Sequence, residues 1–86
     1  MRTLREIALE IDWECKGKDW YPYAEAYVIP MMTLDTMSDR YFEDSAESIV
    51  AYALANLQSW RGENARRIKA ELNAMLKSAR KERVGA

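Results

Sequence analysis

Carboxylates are the side chains this sequence offers in number for chemistry, and histidine is missing altogether. Glu6, Glu10 and Glu14 stand four apart, and so do Asp35, Asp39, Glu43 and Glu47. A carboxylate pair can do acid–base work, but nothing in the sequence singles one pair out. The commonest general base and metal ligand is absent, so a Cys–His dyad or a Ser–His–Asp triad cannot form within one chain. One cysteine, Cys15, without histidine excludes an ordinary zinc site. Gly17, Gly62 and Gly85 are too scattered for a phosphate-cradling loop. The expectation is a protein that is not an enzyme and takes no cofactor.

Binding chemistry has more support, and three surfaces compete for it. The first is the acidic rows. On a helix, carboxylates four apart lie about 6 Å from each other, close to the spacing of phosphates along a strand. Such rows can draw a protein that grips nucleic acid, or they can be plain solvated faces beside Arg2, Arg5 and Arg40. The second is basic. Residues 1–60 carry five Lys or Arg against eleven Asp or Glu, a net −6, whereas residues 61–86 carry eight against three, a net +5. Arg66, Lys69, Lys77 and Arg80 fall on one helical stripe with Arg67 beside it, and such a stripe can follow a phosphate backbone. Solvation of a helix whose other side is core explains the same stripe, and the chain as a whole is not basic. The third surface is residues 20–37, where Trp20, Tyr21, Tyr23, Tyr27, Met31, Met32 and Met37 are too many large groups for one narrow buried stripe. Aromatic residues anchor protein interfaces and methionine adapts to irregular ones. A second copy of the chain is one partner this segment could take.

These residues need elements to hold them. Thr3 and Glu6 form a capping box, and Leu4, Ile7, Ala8, Ile11 and Cys15 follow at helical spacing, so helix 1 is expected over about residues 4–15. Gly17 ends it. Pro22 suits a first helical turn, and Ala24, Tyr27, Val28, Met31 and Leu34 keep the period. Pro30 interrupts it, at a cost of about 3 kcal/mol inside a helix, so helix 2 is expected to be kinked or split there. Asp44 with Glu47 caps helix 3, with Ala46, Ile49, Val50, Ala53, Leu57 and Trp60 on its inner face and Gly62 as its stop. Ala65, Ile68, Leu72, Met75, Leu76 and Ala79 line helix 4, with residues 81–86 as a frayed tail. The short link between helices 3 and 4 makes them antiparallel neighbours. The predicted fold is all-α, a small antiparallel bundle of about four helices forming one domain of 86 residues. A chain this short buries only about 60–65 % of its unfolded surface.

A lone cysteine allows no intrachain disulfide. The opening residues do not read as a signal peptide, and no apolar run approaches the roughly 18–20 residues that span a bilayer. A cytoplasmic protein without a membrane segment is expected.

Residues 44–72 also carry a resemblance. Asp44-Ser45, Ile49-Val50, Leu54-Ala55-Asn56, Trp60-Arg61-Gly62 and the run from Ala65 to Leu72 are similar to small uncharacterised proteins of bacteriophages and prophages, and the opening Leu4–Ile11 resembles theirs too. The resemblance implies a phage origin, and small phage proteins of this class act by occupying host proteins, defence systems included. The leading expectation is therefore an interaction protein that binds, and can inhibit, a host protein through Tyr23, Tyr27, Met31, Asp35, Asp39 and Glu43. The alternatives are a nucleic-acid-binding protein using Arg66, Arg67, Lys69, Lys77 and Arg80, and a phage structural or assembly component.

Overall fold

A computed structural model describes residues 2–85, with side chains as far as residue 81. The order is α1 (Leu4–Cys15), α2 (Tyr21–Met31), β1 (Arg40–Tyr41), β2 (Asp44–Ser45), α3 (Ala46–Ala55) and α4 (Glu63–Gly85). Four helices and one two-residue hairpin make an all-α bundle.

Local signals set α1. The Glu6 N–H donates to Thr3 Oγ1 at 3.1 Å, and the Thr3 N–H donates to Glu6 Oε1 at 2.9 Å. Leu4, Ile7, Ala8, Ile11 and Cys15 are all buried, and Gly17 turns the chain at φ +92°, where a Cβ is disfavoured.

In α2, Pro22 sits in the first turn as expected, and the helix is not split at Pro30. The helix ends one residue beyond it. Pro30 has no N–H to continue the ladder, and the carbonyls left over find partners in a closing turn. The Thr33 N–H and hydroxyl both donate to the Pro30 carbonyl at 3.0 and 2.7 Å, and the Leu34 N–H donates to that of Met31 at 3.1 Å.

A loop and a hairpin carry Asp35, Asp39 and Glu43, so their spacing of four makes no helical row. Arg40 pairs with Ser45 and Tyr41 with Asp44 in antiparallel register. The turn between them places Phe42 at φ +56°. Asp39 Oδ2 accepts the N–H groups of Asp35 and Thr36 at 2.8 and 3.0 Å, fixing the approach to the hairpin.

The N-cap of α3 is Ser45, whose hydroxyl accepts from the Ser48 N–H at 3.2 Å, and not Asp44. The helix stops at Ala55, well short of Gly62. Leu57 and Trp60 reach the core from the turn that follows. From Glu63, α4 runs on to Gly85, through the stretch read as a frayed tail. Ala86 lies outside the described residues.

The core draws on every helix and on loop residues Leu34, Leu57 and Trp60. Polar contacts close the seam between α1 and α4. Arg2 bridges Glu10 at 2.6 Å and Glu71 at 2.7 Å, Arg67 pairs with Glu10, and Asn64 Nδ2 donates to Glu14 at 2.7 Å. No helix among the described residues is long and apolar enough to cross a membrane.

Candidate functional site

Exposed large rings mark one face of the molecule. Tyr23 is 72 % exposed on α2, Tyr52 56 % on α3 and Phe42 84 % at the hairpin turn. Tyr27 follows Tyr23 by one helical turn and stacks on Tyr52, with ring centroids 5.3 Å apart and planes 21° from parallel. Tyr41 meets Phe42 edge-on at 4.7 Å. Between these pairs lies a cleft of about 180 Å³, lined by Tyr27, Pro30, Tyr41, Asp44, Ser48 and Tyr52. Three elements build it. Helix α2 supplies Tyr27 and Pro30, the hairpin supplies Tyr41 and Asp44, and α3 supplies Ser48 and Tyr52.

The backbone at Phe42 is unusual. A bulky residue in the left-handed region costs roughly 1–3 kcal/mol and persists only where its surroundings hold it there. Here the hairpin register holds it, and the ring projects outward beside the cleft. The carboxylates of Glu43 and Asp44 are exposed next to it and make no ion pair among the described residues.

Of the six residues expected to bind a partner, Tyr23, Tyr27 and Glu43 belong to this face. Met31 does not, because it shares the inward face of α2 with Ala24 and Val28 and is fully buried. Asp35 and Asp39 do not either. Asp35 pairs with Arg5 at 3.2 Å. Asp39 is held below the usual carboxylate range by the backbone N–H groups of Thr36 and Asp35, a local structural task. Tyr41, Phe42 and Tyr52 were missed. Tyr52 lies off the apolar stripe of α3, which was the signal available for it. Phe42 was hidden in an apparent helical row of acids.

The basic stripe of α4 is largely engaged within the fold. Arg67 pairs with Glu10, and Arg80 approaches Glu47 at 3.9 Å. Lys69 Nζ donates to the Trp60 carbonyl at 2.7 Å. Arg66 and Lys77 stay exposed. The acidic row of α1 is used as well, with Glu10 drawn below its ordinary pKa by Arg2 and then by Arg67. The two charged rows expected as separate surfaces therefore touch at one point of the seam between α1 and α4, the Glu10–Arg67 pair.

Burial pushes the Cys15 thiol up to about 11, which keeps it in its unreactive form at neutral pH. No group of three or more potential metal ligands comes together among the described residues.

No family model, curated protein or solved structure matches the chain. Its function has to be read from the faces just described.

Proposed function

We propose that this chain is a non-enzymatic interaction protein that seats its aromatic face on another protein. Tyr23, Tyr27, Tyr41, Phe42 and Tyr52 supply the apolar contact. Glu43 and Asp44 supply an acidic rim that favours a partner offering Lys or Arg there. The resemblance to phage and prophage proteins favours a partner in a host cell, where occupying its surface would inhibit it. The observation that carries this reading is Phe42, a large ring exposed at a backbone conformation that the fold maintains without core packing in return. Aromatic residues presented in this way are the usual anchors of protein interfaces.

The test is a pull-down from nuclease-treated host lysate with the wild-type chain and with a Tyr23→Ala, Phe42→Ala, Tyr52→Ala variant. All three side chains are exposed, so the variant should keep its helical circular dichroism. A protein retained at stoichiometric level by the wild type and lost by the variant supports the proposal. Equal retention by both chains overturns it.

A further inference from the structure

A second exposed ring lies on other elements and in other chemistry. Trp13 on α1 is 85 % exposed, the most exposed large apolar side chain in the described structure. It stands off the buried stripe of α1 and makes no ring contact among the described residues, so the core does not need it. It borders a hollow of about 540 Å³ with Lys18, Trp60 and Arg61. A second hollow of about 420 Å³ shares Trp60 and Arg61 and is completed by Arg66 and Lys69.

The cations lining the two hollows outnumber the carboxylates lining them, although Asp19 and Glu63 are exposed in the adjoining stretches of chain. Lys18, Arg61 and Arg66 are exposed and form no ion pair among the described residues. Glu14 is the one carboxylate lining either hollow, and its Oε1 already accepts from Asn64. Lys69, in the wall of the second hollow, is tied to the Trp60 carbonyl at 2.7 Å. Burial, and after it the neighbouring Arg61, lowers its pKa.

We infer that the end of the molecule formed by Trp13, Lys18, Arg61 and Arg66 binds single-stranded nucleic acid, with a base stacked on the Trp13 indole and neighbouring phosphates on the three cations. An exposed indole recognises any base face, and a cationic groove beside it recognises the backbone. Duplex nucleic acid hides its base faces in the stack, so a single strand is the form that satisfies both features. This site shares no lining residue with the aromatic face of α2, α3 and the hairpin.

Fluorescence anisotropy of a labelled 12-nucleotide thymidine strand, titrated with the full chain, tests it. Three phosphate contacts give a binding constant that falls about twentyfold between 50 mM and 200 mM salt. Trp13→Ala should weaken binding by between about fivefold and a hundredfold, and Trp13→Phe should recover most of that loss. Arg61→Glu with Arg66→Glu should remove binding while the circular dichroism stays unchanged. A matched duplex and inorganic polyphosphate should both bind more weakly than the strand. The inference is overturned if no binding occurs at 50 mM salt, if Trp13→Ala binds as tightly as wild type, or if polyphosphate competes as well as the strand.

Discussion

At Phe42 a left-handed backbone carries an exposed ring. Glycine would relieve a Cβ conflict of about 1–2 kcal/mol. Loss of the edge contact with Tyr41 and glycine's larger loss of freedom on folding offset it, so Phe42→Gly should leave stability within about 1 kcal/mol of wild type. The same change should weaken partner binding. Denaturant melts paired with a binding titration check both halves. Cys15 gives a second expectation. Its thiol is buried and raised to about 11, so a thiol reagent at pH 8 should label it slowly in the folded chain and promptly in urea. Rapid labelling of the folded chain would mean that the α1 stripe opens readily.

Among the elements, α1 was legible in full because its signals are local: a capping box, a regular apolar period and a glycine at a positive φ. Helix α2 was legible in its start and its buried face. Its end was not, because a proline near a helix terminus gives the same sequence sign as a kink, and only the closing turn through Thr33 and Leu34 decides between them. The hairpin was not legible at all. Two-residue hairpin turns are announced by glycine or asparagine, and Phe42-Glu43 offers neither. With the hairpin went Tyr41 and Phe42, two of the five rings of the aromatic face, whereas Tyr23 and Tyr27 could be read from residues 20–37 directly. Met31 was misassigned although its spacing from Ala24 and Val28 already pointed inward. On α4, Leu72 is fully buried at the centre of the apolar stripe, so Leu72→Ala should cost about 2–5 kcal/mol by chemical denaturation. Lys77 on the opposite side of the same helix is exposed, and Lys77→Glu should change stability by less than about 0.5 kcal/mol.

Over the whole molecule, the acidic first part and the basic last part hold each other through Arg2, Glu10, Arg67 and Glu71. Arg2 draws Glu10 and Glu71 below their ordinary pKa values. A carboxylate with a lowered folded pKa contributes stability above its unfolded value and loses it as pH falls through the folded one. Stability should therefore hold from pH 8 down to about 5 and then decline below about 4.5. Arg2→Ala should flatten that decline and cost about 1 kcal/mol at neutral pH, since these side chains are partly exposed and screened. Thermal melts across pH for both chains read this directly. The radius of gyration, 12.3 Å, is close to the roughly 12 Å expected for one compact body of this length. The two exposed aromatic sites are carried on that one body by different residues, so Trp13→Ala should leave partner binding unchanged, and the Tyr23, Phe42, Tyr52 triple alanine variant should leave strand binding unchanged.

The central claim is that the ring of Phe42 touches a partner protein. The most direct measurement places a photo-crosslinking phenylalanine analogue at position 42, and separately at position 77 on the exposed side of α4, in chains expressed in the host cell. The expected result is one host polypeptide crosslinked from position 42 and absent from position 77. Crosslinking of the same polypeptide from both positions, or none from position 42 while wild-type partner capture persists, would contradict the assignment of the aromatic face.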